Sequence, residues 1–397
     1  GICACDRLPL TTEQFKDALT VAADRAGVEL GSGQTPDNYE DAKELTSLTD
    51  EEKAQYALDE AVEVLHENLD TVVDGMTVRR QVKELRPFDD DTIDEARIGY
   101  LDDTAHAELM ERLSNEALQD IGFHKEDNTL HARGFIIYPY LDRGQANYWV
   151  GRRHPNTDHP AKYLKPASGT TIFEQPLYKY RPTGARDEEG LWIVEGIQDC
   201  IATAQNANVH TVSPVATNPS QKQINELLPL CQEKGRAVIC FDADGGGDGD
   251  SIELALEVMS AGVQTEIAEL PEGTDPNDYI MDGGDIEDLP VRPAPEVIIE
   301  RRGDSDPLIE RILDTVQEGT PRADRVIDTI SSVTPLRVPT LREMMSENRE
   351  YEQQRGWREP TMVKKTKGSN PTWTFVYDDG TEIEMDSTMN RQAPSTF

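Results

Sequence analysis

The sequence predicts an α/β protein: a mainly parallel sheet flanked by helices, preceded by a mixed α+β segment rich in basic residues and followed by a small α+β tail. Three observations carry this. Residues 191–285 alternate short apolar runs with amphipathic stretches, a βαβαβαβ order that favours a parallel sheet covered on both faces. At Gly134 the hydrophobic period changes from helical spacing to alternation. Two apolar runs end abruptly in carboxylates: Leu191-Trp-Ile-Val-Glu195-Gly-Ile-Gln-Asp199 and Ala237-Val-Ile-Cys-Phe-Asp242-Ala-Asp244. Buried strands that deliver acids at their carboxyl ends are how open α/β sheets build a site.

Taken in order, Thr11 or Thr12 can cap a helix over 13–26, which Gly27 ends. Residues 31–50 are polar and turn-rich. Residues 50–85 read as helices, with Ala57, Leu58, Ala61, Val64 and Leu65 at a 3.6 period, and shorter helices fit 91–97 and 104–119. Gly134 to Leu141 reads as a strand, Asp142-Arg-Gly144 as a hairpin turn, and 146–151 as the returning strand. Residues 182–190 are a linker by composition. Strands are expected at 191–194, 210–214, 237–241 and 264–270, and helices at 197–206, 219–233 and 251–261, with Gly235 and Gly262 as helix stops. Residues 286–305 read as a Pro- and acid-rich linker, 307–317 as a helix, and 372–385 as a hairpin turning at Asp379-Gly380. The domains expected are a short piece over 1–10, a helical part over 11–130, a basic β-rich part over 131–186, the parallel-sheet domain over 187–285 and a tail over 286–397.

Asp and Glu number 76 against 39 Lys and Arg, a formal net charge of -37, and only 13 of the cations are Lys. The acids are spread along the whole chain. Such a surface reads as an adaptation to high salt, where screening tolerates self-repulsion. Net charge then says nothing against nucleic acid as a partner, and a local basic cluster needs a reason. One exists: Arg152, Arg153, His154, His159, Lys162, Lys165, Lys179 and Arg181, interleaved with Tyr163, Phe173, Tyr178 and Tyr180. The aromatics suit base stacking and core packing equally. No apolar run is long enough to span a bilayer and no signal-peptide pattern is present, so a cytoplasmic location without membrane association is expected. The five Cys form no disulfide framework, and Cys200, Cys231 and Cys240 read as core thiols. The chain starts at Gly1, which leaves room for a missing upstream part.

The chemistry sits in the acids. In extended backbone Asp242 and Asp244 point the same way, so both can face one ion or a pair. Asp275 and Asp278 follow another expected strand. Hard cations such as Mg²⁺ take carboxylates together with phosphate oxygens and waters. A calcium loop over residues 242–253 is a rival, but Gly249 stands where an apolar residue would pack and the preceding segment is β-like.

Glu195-Gly-x-x-Asp199, then Asp242-x-Asp244, then Leu270-Pro-Glu-Gly-x-Asp275-Pro-x-Asp278-Tyr resembles the Toprim domain, and the last phrase resembles bacterial-type DNA primases. Upstream, the Gly134–Gly144 strand and turn, Gly151-Arg152, Pro160-Ala-Lys162-Tyr-Leu-Lys-Pro and Ile172-Phe173 resemble, in order, the basic subdomain that precedes Toprim in those primases. Arg86 and Ile98-Gly99-Tyr100 resemble the subdomain's helical start, and Cys3-x-Cys5 resembles the end of the family's zinc ribbon. The resemblance covers roughly residues 1–285. It implies that Glu195, Asp242 and Asp244 hold catalytic metals, that Asp199 and Asp275 support them, and that Asp278 is a further candidate because Asn277 stands where the family often has an acid. It implies that Arg133, Arg152, Arg153, Lys162 and Lys165 meet template and nucleotide, with Lys162 also a catalytic candidate. Two departures are visible: Gly-Gly-Gly-Asp-Gly-Asp follows Asp244, and Glu174-Gln175 replaces the family's Lys after Phe173. Cys3 and Cys5 make no zinc site unless upstream residues complete it.

The function implied is a DNA primase core, a monomer that makes short RNA primers on a single-stranded DNA template from ribonucleoside triphosphates with two Mg²⁺ or Mn²⁺ ions. A replicative helicase is a candidate partner. The alternatives are a Toprim nuclease or topoisomerase-like enzyme, and a non-catalytic DNA-binding replication module.

Overall fold

The computed structural model describes residues 49–167, 169–186, 189–216, 219–243, 248–355, 362–365, 372–376 and 382–386. The helix expected at 13–26, Cys3, Cys5, Asp244 and the turn at Asp379-Gly380 lie outside the described residues. The chain divides into two compact units, one ending at Gly303 and the other beginning at Asp304.

Among the described residues the first unit opens with α1 (Asp50–Glu67), started by a capping box: Thr49 Oγ accepts from the Glu52 backbone N–H, and the Glu52 carboxylate accepts from that of Thr49. Ala54, Ala57, Leu58, Ala61, Val62 and Leu65 form its buried stripe. A small hairpin, β1 (Val72–Val73) and β2 (Met76–Thr77), separates α1 from α2 (Val78–Leu85). Then come α3 (Asp90–Glu95), β3 (Gly99–Leu101), α4 (Asp103–Arg112) and α5 (Asn115–Asp120). The single helix expected over 104–119 is two, because the Ser114 hydroxyl accepts from the Ala117 N–H and starts a new one.

Next come β4 (Phe135–Asp142) and β5 (Gln145–Arg153), joined by Arg143 (φ 51) and Gly144 (φ 83). Positive φ at both loop residues is the two-residue turn whose twist suits a hairpin. With β6 (Tyr163–Leu164) they form an antiparallel sheet in the order β3-β4-β5-β6.

The second sheet begins with β7 (Tyr178–Tyr180) and continues through β8 (Leu191–Val194), α6 (Ile197–Ala207), β9 (His210–Ser213), α7 (Gln221–Lys234), β10 (Arg236–Cys240), α8 (Asp248–Ser260), β11 (Gln264–Ala268), α9 (Pro276–Met281), β12 (Val291–Pro293) and α10 (Ala294–Arg302). Its order is β12-β11-β10-β8-β9-β7; the four inner strands are parallel and both edges antiparallel. The four strands expected within 191–285 are all present. The edges were not expected. β7 falls in the basic segment, and β12 and α10 fall in the supposed linker, which is therefore no linker. Arg292 of β12 donates to both Glu269 carboxylate oxygens, at 2.7 and 3.0 Å, and Val297 and Ile298 of α10 are buried. One apolar core joins the two sheets, with Tyr138, Tyr140 and Val150 packed among Tyr178, Trp192, Val194 and Ile201.

The second unit holds α11 (Asp306–Leu313), α12 (Pro321–Val333) and α13 (Val338–Arg355), then β13 (Met362–Lys365), β14 (Thr372–Val376) and β15 (Glu382–Asp386) in one antiparallel sheet. The expected tail hairpin is β14 with β15. No helix among the described residues is long and apolar enough to cross a membrane.

Candidate active site

The strand order places a crevice. From β8 the chain crosses to β9 on one side, then returns to β10 on the other side of β8. Ligand sites of open α/β sheets lie where the order reverses, outside the carboxyl ends of the strands. Val194 of β8 and Cys240 of β10 are the last paired residues, so Glu195 and Asp242 leave adjacent strands at the mouth of this crevice. Both are half-buried. The Ser213 hydroxyl donates to the Glu195 carbonyl at 2.7 Å and fixes the end of β8 against β9.

Gly196 lets the first motif fold back on itself. A Cβ there would stand 2.1 Å from Asp199 Oδ2, so the carboxylate occupies space that any other residue would claim. Asp199 is 8% exposed. Burial, then the neighbouring Asp275 carboxylate, push its carboxyl from the usual 3.8 up to about 7, while the Asn277 backbone N–H, Arg86 and its own N–H pull the other way. Asp275 caps α9, accepting from the Asp278 N–H at 2.6 Å. Asn277 is buried, and among the described residues its side-chain oxygen has no hydrogen-bond partner. The loops carrying Asp242 and Asp275 are stapled together: the Ala243 N–H donates to the Thr274 carbonyl at 3.0 Å, and the Gly273 N–H to the Ala243 carbonyl at 2.8 Å. Burial, then Asp199 and Asp242, raise the Cys240 thiol, which puts both carboxylates near the end of β10. Asp278 is different: its side chain is exposed on the first turn of α9.

The basic sheet reaches this acidic end through Tyr163. Arg152 Nη1 donates to the Tyr163 hydroxyl; the guanidinium carbon lies 5.1 Å and Lys162 Nζ 5.6 Å from the ring centroid. The Tyr163 hydroxyl donates to Gln198 Oε1 at 3.4 Å, and Gln198 Nε2 donates to the Tyr138 hydroxyl at 2.7 Å. Burial chiefly raises the Tyr163 hydroxyl, with Arg152, Tyr138, Asp199 and Arg86 also acting on it. The structure thus brings Arg152, Lys162, Arg86 and Tyr163 to the Asp199 end of α6. The other basic candidates are engaged elsewhere. Arg133 pairs with Asp103 of α4, Arg153 donates to the His159 carbonyl, and Lys165 donates to Gln175 at 2.6 Å. Tyr178 and Tyr180 are core residues, and only Tyr163 of the aromatic set stands 40% exposed. Sequence reasoning did not single out Gln198 or give Arg86 a role at the acids. Gln198 carried a signal, as a polar residue in the apolar first turn of α6 beside Asp199.

Among the described residues, no three acidic, His or Cys side chains gather closely enough to hold an ion. The chemistry nevertheless fits a hard cation. The donors around the crevice are oxygens of Glu195, Asp199, Asp242 and Asp275, the buried Asn277 oxygen lacks a partner among the described residues, and Asp199 carries repulsion that a cation would relieve.

Residues 192–280 match the family model described as Toprim-like. A DNA primase of Staphylococcus epidermidis is 26% identical over 292 residues, covering 68% of this chain and 46% of that protein. The chain thus spans about half the length of the relative it matches. The crystal structure of the Aquifex aeolicus primase, comprising zinc-binding and RNA polymerase domains, aligns with a TM-score of 0.61 at 21% identity, covering 82% of this chain and 80% of that one. A primase catalytic domain bound to single-stranded DNA aligns with a TM-score of 0.51 at 20% identity, covering 74% of this chain and 97% of that one. These likenesses establish a shared fold.

Proposed function

We propose that the first unit is a DNA primase core: it synthesises short RNA primers on single-stranded DNA from ribonucleoside triphosphates, with Mg²⁺ or Mn²⁺ as cofactor. The observation that carries this reading is the convergence of two opposite chemistries, the carboxylates at the ends of β8 and β10 and the Arg152–Lys162 pair held over Tyr163. Oxygen donors without cations would serve many metal enzymes. Cations next to them supply a track for phosphates.

Glu195, Asp242, Asp244 and Asp199 would hold the ions, with Asp275 behind Asp199. Bound there, two ions would supply charge stabilisation to the attacking 3′-hydroxyl oxygen and the leaving pyrophosphate. Arg152 and Lys162 neutralise phosphate oxygens of template or nucleotide, and the exposed face of Tyr163 offers a stacking surface. With its carboxyl pushed up to about 7, Asp199 shares its time between the protonated and ionised forms near neutrality, and a bound cation would favour the carboxylate. Arg133, Arg153 and Lys165, engaged elsewhere, would contribute to the general field of the basic sheet. The acidic, Lys-poor surface fits work at high salt in the cytoplasm, and a replicative helicase is the partner that priming calls for.

The test is primer synthesis on single-stranded DNA by the full-length protein, with ribonucleotides, Mg²⁺ or Mn²⁺ and high KCl. Products of a few nucleotides are expected from wild type and none from Glu195→Gln. A wild type without product, or a Glu195→Gln variant as active as wild type, refutes the proposal.

A further inference from the structure

Gln198 lies one residue before Asp199 on the first turn of α6, and its side chain is buried. Its two ends serve different strands of the basic sheet. Nε2 donates to the hydroxyl of Tyr138, which lies on β4, and Oε1 accepts from the hydroxyl of Tyr163 on β6. Tyr163 in turn accepts from Arg152, and its ring lies beneath both Arg152 and Lys162. The bonding runs one way. Arg152 has only N–H groups to offer, so Tyr163 accepts from it and has its own proton left for Gln198. As placed, the amide turns its oxygen to the Tyr163 hydroxyl proton and its nitrogen to the Tyr138 hydroxyl oxygen. A leucine could fill the volume without bonding. A glutamate would add a charge beside Asp199, which Asp275 already burdens.

We propose that Gln198 is a positioning residue: it sets the orientation of Tyr163, and through it the Arg152 and Lys162 cations, at a fixed spacing from the acidic end of the parallel sheet. Phosphate binding on one sheet is thereby coupled to the carboxylates on the other. The meaning of this coupling for turnover rests on the primase reading above, but its effect on DNA binding does not. Because Gln198 occupies the same turn as Asp199, tilting Tyr163 and moving the carboxylate draw on a single rigid element. A purely structural role, satisfying Tyr138 alone, would leave Oε1 indifferent to Tyr163.

The experiment is a double-mutant cycle of Gln198→Leu and Tyr163→Phe, read by fluorescence anisotropy of a labelled single-stranded oligonucleotide in high KCl, with melting temperatures recorded alongside. Each single variant is expected to weaken binding by about fivefold, and the double variant by about the same factor rather than ~25-fold, since both remove one link. The dependence on salt concentration should stay as in wild type, because no cation is lost. In primer synthesis the KM for ribonucleotides should rise in both single variants. Additive losses in the double variant overturn the proposal. So does wild-type DNA affinity in Tyr163→Phe, which keeps the partner of Tyr138 and carries the test alone if Gln198→Leu fails to fold. A wild type that binds DNA but makes no primer refutes the primase reading and leaves the coupling standing. A primer-active wild type with additive variants refutes the coupling alone.

Discussion

Replacing Asp199 by Asn should stabilise the metal-free protein, and the size of the effect follows from its surroundings. The Asp199 carboxyl is buried, and burial together with Asp275 moves it from 3.8 to about 7. The folded-state value lies above the unfolded one, so the folded chain holds a proton that the unfolded chain releases. Below pH 3.8 both states are protonated and the group is neutral in its effect. Between 3.8 and about 7 the penalty on the folded state grows, and above about 7 it is complete. At ~1.36 kcal/mol per tenfold change in proton affinity, it reaches about 4 kcal/mol. Asn keeps an oxygen to accept from the Asn277 N–H and has no charge to bury. In EDTA and high KCl, the denaturation midpoint of Asp199→Asn should exceed wild type at pH 8, with the gap closing as pH falls toward 4. Saturating Mg²⁺ should narrow the gap at pH 8, since a cation stabilises only the carboxylate form. Equal midpoints for the two proteins across this pH range in EDTA would show that Asp199 is not held as described.

Asn277→Asp should act in the opposite direction: a third acid beside Asp199 lowers metal-free stability above neutrality and tightens Mg²⁺ binding, both measurable by calorimetry. Gly196→Ala puts a methyl group where Asp199 Oδ2 lies 2.1 Å away, so primer synthesis should fall at least ~10-fold while the melting temperature moves little, as only a side chain must swing. Trp149→Phe removes the N–H that donates to the Ile121 carbonyl at 2.8 Å while keeping an aromatic ring against Phe123, and should cost about 1–3 kcal/mol in chemical denaturation without changing the KM for ribonucleotides.

The legible parts of this chain were those with a long enough period. β8 and β10 announce themselves as short apolar runs, and the helices by their spacing and by stops such as Gly235, which ends α7; β9 and β11 mix polar with apolar residues and are read from the alternation of strand and helix. The illegible parts were short or borrowed. β7 and β12 have three residues each, too few for any alternation, and take their register from β9 and β11. Pro295 and Pro321 read as breakers in the sequence but stand in the first turns of α10 and α12, where a missing N–H costs nothing. At the site, Glu195, Asp199, Asp242 and Asp275 were readable from strand ends. Which cations face them was not, because a charge's partner depends on the fold: Arg133 is as basic as Arg152, yet its guanidinium meets Asp103. Gln198 shows the limit most plainly, since its two partners are 60 and 35 positions away in sequence.

The two antiparallel edge strands bear on how this protein can be cut. A fragment trimmed to 187–285, the boundaries that composition suggests, would lose β7 and β12 together. β9 and β11 would then each present an open row of backbone donors and acceptors, in strands whose side chains are largely buried. Such edges pair with whatever strand is near, most readily another copy of the fragment. Self-association of that fragment would therefore report the missing borders rather than any natural oligomer, whereas a piece running from 170 to 303 would keep its own borders.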